Sequence, residues 1–210
     1  MDDHDHDHDH DHDHDHDHDH DHEHHHALGW REELEQSRDS ARHYYEHRFD
    51  WRGHDPPPGY EGPRWYAPAE EWRLTAGLDG NTPGAGDHVE LATSTGQLRH
   101  MVNAGQLVFE AKGAEQRLTA FLTHDAEGYE TLFVPFRDAT SGNETYGAGR
   151  YLDIPYERDD QAIELDFNYA YNPSCVYSPA YDCPFPPPAN LLAVAVRAGE
   201  RLPYEAEKTG

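Results

Sequence analysis

Lysine is almost missing from this chain: Lys112 and Lys208 are the only two among 210 residues, against fourteen arginines. Long apolar runs are missing too. No stretch approaches the roughly 18–20 residues that cross a bilayer, and the acidic N-terminus has no apolar core of a secretory signal, so a cytoplasmic protein is expected. Positive charge is scarce, with 16 basic residues against 42 acidic ones and a net charge of −26. Phosphate binding needs a basic patch, so neither a nucleic acid nor a membrane surface is expected as a partner. The first 26 residues account for twelve of the acids, which still leaves the body at −14. An acidic, lysine-poor surface suits a halophile, because the Debye length falls to about 3 Å at 1 M salt. The alternative is an acidic soluble protein of ordinary surroundings.

What is present begins with histidine. Thirteen of the nineteen histidines lie in the first 26 residues: His4, His6, His8, His10, His12, His14, His16, His18, His20, His22, His24, His25 and His26. Residues 3–22 are ten Asp-His pairs, and no apolar residue lies between Asp2 and His26. Such a stretch cannot offset chain entropy by burial, so residues 1–26 are expected to be a disordered tail. Neutral imidazole is the commonest protein ligand for divalent transition metals, so nickel, zinc, cobalt or copper is the expected cofactor. At about four ligands per zinc, histidine alone serves roughly three ions. The intervening Asp side chains add negative charge and can orient ligating rings. The tail's charge is about −12 above pH 7.5 and about +1 with every histidine protonated, given an imidazole pKa near 6.5, so protons compete with metal. A polyelectrolyte bristle for solubility, a repeat expansion or an engineered tag are the alternatives.

Residues 27–68 read as an N-terminal helix to about residue 49, on an imperfect face of Leu28, Leu34, Ala41, Tyr44 and Tyr45, then a loop rich in proline and glycine. Residues 69–204 are expected to form a β-rich domain, and from Glu71 the period changes to two. Strands are expected at 72–78, 88–93, 98–102, 106–110, 117–123, 131–136, 163–167 and 191–197, with turns at 95–96, 103–105 and 112–113. The expected fold is mainly β: an antiparallel sandwich or flattened barrel carrying one N-terminal α-helix, preceded by the tail.

Three other constellations carry chemistry. His43, Glu46 and His47 match the H-x-x-E-H zinc-peptidase spacing, but a surface pair on an amphipathic helix is the commoner origin of so short a motif. Cys175 and Cys183 are the only cysteines. Two thiolates do not complete a zinc site, so buried thiols or a structural disulfide are expected, according to compartment. Asp138, Glu144, Arg150, Asp166 and Asn168 are weak catalytic candidates that could converge on one face. Arg150 offers a bidentate fork to a carboxylate, and Gly147 and Gly149 permit close backbone approach. The alternative is a fold-holding network of buried Arg–carboxylate pairs. No Ser-His-Asp set, phosphate loop or nucleotide fingerprint is seen.

The run Leu132-Phe-Val-Pro-Phe-Arg-Asp-Ala-Thr-Ser-Gly-Asn-Glu-Thr-Tyr-Gly-Ala-Gly-Arg-Tyr-Leu-Asp153 resembles the signature of the domain of unknown function 1684 family. Leu165-Asp-Phe-Asn-Tyr-Ala-Tyr-Asn-Pro-Ser-Cys175, Asp182-Cys-Pro-Phe-Pro-Pro187 with Asn190, and Ala198-Gly-Glu200 resemble its later blocks. The resemblance covers roughly residues 30–202 and brings no reaction. It implies that Cys175 and Cys183 belong to the family pattern and lie near one another, and that the two polar blocks share a surface. The tail and His43–His47 fall outside the pattern, and Ser174 stands where proline is more usual.

Three functions follow as expectations. The first is a metal buffer or carrier acting through the tail. The second is a hydrolase acting through carboxylates such as Asp138, Glu144 and Asp166 near Arg150. The third is a module whose aromatic loops (Tyr146, Tyr151, Tyr169, Tyr171, Tyr177) hold a small or sugar-like ligand. Whether the chain is an enzyme stays open at this level.

Overall fold

A computed structural model describes residues 28–158 and 162–204. The Asp-His tail and the metal-site expectations placed on it lie outside those residues. One helix, α1 (Trp30–His47), precedes seven strands: β1 (Arg73–Asp79), β2 (His88–Ala92), β3 (Leu98–Ala111), β4 (Ala114–His124), β5 (Glu130–Phe136), β6 (Arg150–Pro155) and β7 (Ile163–Asp166). The sheet runs β6-β5-β4-β3-β1-β7, with β2 added beside β3, and it curls nearly into a barrel. The pairings between these strands are antiparallel. The mainly β expectation, with one N-terminal helix, therefore holds.

One buried cluster fills the interior. Leu118, Ala120, Leu132, Val134 and Phe136 of β4 and β5 pack in it with Leu107, Phe109, Leu152 and Leu165. Phe167 closes one end, with its ring edge-on to Trp72 at 5.6 Å and to Phe136 at 5.2 Å.

The structure differs from the sequence-based reading at three places. The expected turn at 103–105 is a β-bulge inside one continuous strand, β3. The register slips between Asn103 and Gly105, and the Asn103 side chain accepts the Gly105 amide at 2.9 Å, so the chain kinks without reversing. β6 is a strand hidden inside what reads as a polar run. It pairs with β5 along its length, because Arg150 turns inward and only Asp153 and Pro155 face out. Residues 191–197 form no strand. Their carbonyls are met by other donors: the Ala139 amide reaches Val194 O at 3.1 Å and the Arg150 guanidinium reaches Val196 O at 2.9 Å.

α1 starts at Trp30, where the Glu32 side chain accepts the Gly29 amide at 3.0 Å. It docks by Leu34 and Arg38, four residues apart on one stripe and both buried. Its C-terminal end joins an aromatic cluster, with Tyr45 stacked 4.2 Å from Tyr177 and Phe49 packed 5.3 Å from Tyr181. Among the described residues no helix is long and apolar enough to cross a membrane.

Candidate functional site: the cleft between the outer strands and the helix

The five polar residues singled out from sequence fall into three hydrogen-bond networks. Arg150 is 1% exposed and Asp138 is 3% exposed. The Arg150 Nη2 meets Asp138 Oδ2 at 2.7 Å and Val196 O at 2.9 Å, while Nη1 donates to the carbonyls of Ala198 and Glu200. The other Asp138 oxygen takes the Thr140 amide and hydroxyl. Glu144 sits nearer the surface, holding Arg197 at 2.7 Å and accepting the Tyr66 hydroxyl at 3.1 Å. The Arg197 guanidinium, and then Tyr66, lower its pKa. Asp166 and Asn168 begin a short 3-10 turn. Asp166 accepts the Asn168 amide at 2.9 Å and the Trp30 indole N–H at 2.7 Å, and Asn168 pairs with both backbone groups of Ala69. The first network fastens the C-terminal segment; the third fastens α1 to the end of β7.

Two glycines make these attachments possible. Gly149 has φ +108°, and a Cβ there would lie 2.5 Å from Phe136 O. Gly199 has φ +74°, and a Cβ there would lie 2.5 Å from Ala170 O. Each lets the backbone pass against a neighbouring carbonyl beside Arg150 or Glu200.

A cleft of about 640 Å³ lies where β6 and β7 part and α1 crosses the gap. Leu152, Ile154, Pro155 and Ile163 form its apolar floor, and Trp30 and Tyr169 form aromatic walls. Glu33, Asp153, Glu164, Asp166 and Arg73 supply the polar groups. Arg73 lies over the Trp30 ring at 4.7 Å and holds Glu164 at 3.1 Å. The half-exposed Tyr169 has its phenol pKa raised, chiefly by burial and then by Asp166. Asp153 accepts the Tyr171 hydroxyl at 2.5 Å, and burial raises its pKa against that bond.

A smaller cavity of about 170 Å³ lies on the other side of Tyr169, between Leu34, Arg38 and Ala41 of α1 and Trp65, Tyr171 and Glu200 of the body. Arg38 is 5% exposed. Its Nη1 meets Glu35 at 3.5 Å, while its Nε and Nη2 have no hydrogen-bond partner among the described residues. Burial lowers its pKa. Glu200, 3% exposed, accepts the Asn172 amide at 2.7 Å and the Tyr177 hydroxyl at 3.1 Å, and burial pushes its pKa up to about 7.

The His43 and His47 rings lie 4.6 Å apart on α1, tilted by 60°, with Glu46 3.7 Å from the His47 Nε2. No group of three His, Cys, Asp or Glu side chains among the described residues is arranged to hold a metal ion.

The sequence reading missed Trp30, Arg73, Arg38 and Glu200 as lining residues. The signal for Arg38 was available, since it recurs four positions after Leu34 on the docking stripe. Trp30 and Arg73 had none, because only the tertiary fold brings them to Asp166.

A family model described as protein of unknown function (DUF1684) matches residues 58–201. The chain belongs to this family. The match spans β1 to β7 and both buried polar networks, and it stops short of α1. An uncharacterized protein of Haloarcula marismortui, solved in solution by NMR, is similar at 36% identity over 82% of this chain and 94% of that one, with a TM-score of 0.62. No curated protein matches.

Proposed function

We propose that the folded part of this DUF1684 chain is a small-ligand-binding module, and that its site is the cleft between β6, β7 and α1. The observation that carries the reading is the cleft's make-up: about 640 Å³ with an apolar floor, two aromatic walls and a ring of polar groups. That size and mixture suit a small-molecule pocket. Charge narrows the ligand. Four carboxylates face one guanidinium, which disfavours an anion, and Arg73 already lies over the Trp30 ring, so that face offers no further cation–π seat. A neutral, hydroxyl-bearing ligand of sugar-like chemistry fits, with hydroxyls donating to carboxylates and a ring face packing on Tyr169. The hydrolase reading is less favoured, because Asp138 and Asp166 already accept the hydrogen bonds that hold the fold.

A panel of mono- and disaccharides, screened by saturation-transfer NMR on the full chain, tests this. At least one member is expected to bind, with affinity lowered about tenfold or more in Tyr169→Ala, which leaves the Trp30–Asp166 bond in place. Binding that Tyr169→Ala and Arg73→Met leave unchanged would place the site elsewhere.

The second activity is metal binding by residues 1–26, favoured by thirteen histidines alternating with acids. Calorimetric titration of zinc at pH 7.5 is expected to give about three more ions per full chain than per chain starting at Ala27. The excess should fall away as pH drops through about 6.5, where protons take the imidazole nitrogens. Equal stoichiometry for the two chains would remove the tail from the function.

A further inference from the structure

Cys175 and Cys183 come from different local structures and meet at one point. Cys175 lies in the single 3-10 turn Ser174–Val176. Cys183 lies where the following segment bridges back to the end of β2, through the Thr93–Pro184 pairing and the Ser94 amide on Cys183 O at 2.9 Å. The Cys175 amide donates to the Cys183 sulfur at 3.4 Å, and the Tyr146 hydroxyl stands 3.9 Å from the Cys175 sulfur. Both cysteines are free thiols; Cys175 is half-buried and Cys183 is buried. Beneath them Leu91, Phe121, Phe133 and Tyr151 pack as a separate apolar cluster. The two thiols therefore have unequal access to solvent, are held within reach of each other, and pack on a buried apolar floor.

We propose that this pair is a thiol–disulfide exchange site, with Cys175 as the attacking sulfur, Cys183 as the resolving one, and a low-molecular-weight disulfide as the oxidant. The thiolate of Cys175 attacks one sulfur of the small disulfide, forming a mixed disulfide and releasing one small thiolate. Cys183 gives its proton to solvent and attacks the Cys175 sulfur, forming the internal disulfide and releasing the second small thiolate. Two protein thiols are oxidised and one small disulfide is reduced to two thiols, so atoms and electrons balance. The order follows from access, since only Cys175 opens toward solvent. The local field agrees. The hydrogen bond from Cys183, helped by the Tyr146 hydroxyl, brings the Cys175 pKa down to about 7 against burial, while the same bond and burial push Cys183 up. A thiol titrating near ambient pH is the best attacker in exchange. Closure ties the 3-10 turn to the β2 end. That turn leads directly into Tyr177, which bonds Glu200 and stacks on Tyr45 of α1. The redox state thereby reaches the seat of the helix that walls the ligand cleft.

The test uses the reduced full chain, with a chelator present so that metal on the tail cannot oxidise thiols. Incubation with oxidised and reduced glutathione in varying ratio is expected to convert both thiols together, with a mass loss of two hydrogens and a rise in Tm of about 5 °C from loop closure. Cys183→Ser should accumulate a glutathione adduct on Cys175, and Cys175→Ser should react at least about tenfold more slowly. Alkylation of the wild-type chain by iodoacetamide, which needs no variant, should have a midpoint near pH 7 instead of about 8.5. A stable glutathione adduct on the wild-type chain, two thiols that persist through the whole range, or equal rates in the two variants would each overturn the proposal.

Discussion

Replacing Arg150 by methionine is expected to remove at least about 3–5 kcal/mol of stability, the usual cost of breaking a buried ion pair from one side. Domains of this size hold only about 5–15 kcal/mol in all, so the variant should lose most of its cooperative urea transition, followed by the fluorescence of the four tryptophans. The cost has two sources. Asp138 keeps its bonds to Thr140 but becomes a buried carboxylate facing no cation. The carbonyls of Val196, Ala198 and Glu200 lose their donor together, and each buried orphan costs about 1–3 kcal/mol. Arg150→Lys should recover little, because one ammonium cannot span a carboxylate and three carbonyls in the guanidinium's planar fork. A double variant, Asp138→Leu with Arg150→Met, should be more stable than the sum of the two single losses implies, since it removes the stranded charge. A loss below about 1 kcal/mol in Arg150→Met would mean that the C-terminal segment is held by something other than this guanidinium.

This arrangement explains which parts of the fold could be read from sequence. Strands β1, β2 and β4 show at least partial alternation and β5 is a short run of strong β-formers, so these are legible, as is α1. β6 is not, because its first inward residue is Arg150, and an arginine in an inward position reads as surface until its carboxylate partner is known. Residues 191–197 mislead in the opposite direction. Leu191, Leu192, Val194 and Val196 have strand composition, but the segment satisfies its backbone with Arg150 and with Arg137 and Ala139 across a short bridge. Both errors therefore come from one side chain doing what a neighbouring strand usually does. The buried Asn190 makes the same substitution on a smaller scale: its amide group pairs with Thr119 and Pro135, stitching β4 to β5.

The candidate site was less legible than the fold, for a related reason. Asp138, Glu144, Arg150, Asp166 and Asn168 stand out because polar residues cluster in sequence, yet all but Glu144 are buried and serve the fold's own bonds. The cleft is instead walled by Arg73, which β1 brings beside Asp166 by pairing with β7, and by Trp30, which reaches the same Asp166 from α1, and it stays open because β6 and β7 do not pair. A barrel that closed fully would have no such cleft. The open edge is thus the architectural departure that leaves the cleft on which the proposed ligand reading rests.

Glu200 supplies the second large effect, and its sign runs against the usual behaviour of carboxylates. Its pKa is pushed up to about 7 from an ordinary 4.5, chiefly by burial, against the favourable pull of the Asn172 amide, Tyr177 and Arg150. Tyr45 and Tyr60 stand near it, and Arg38 lines the same small cavity. The folded state therefore holds this proton more tightly than the unfolded chain does. Its contribution to stability is complete below about pH 4.5 and is lost as pH rises through about 7, a step of about 3 kcal/mol. Glu144 and Asp182 act in the opposite direction, since their pKa values are lowered by Arg197 and by Thr93 and Thr95, and their contribution fades as pH falls. A comparison of wild type with Glu200→Gln cancels these shared terms. Glutamine matches the protonated carboxyl in shape and keeps an oxygen for the Asn172 amide and Tyr177. Urea midpoints are expected to be close at pH 5 and to diverge by pH 8, with the glutamine variant about 2–3 kcal/mol the more stable. A difference that stays constant from pH 5 to pH 8 would show that Glu200 keeps one protonation state throughout, and would shift the origin of any alkaline weakening of the α1 seat to the tyrosines around it.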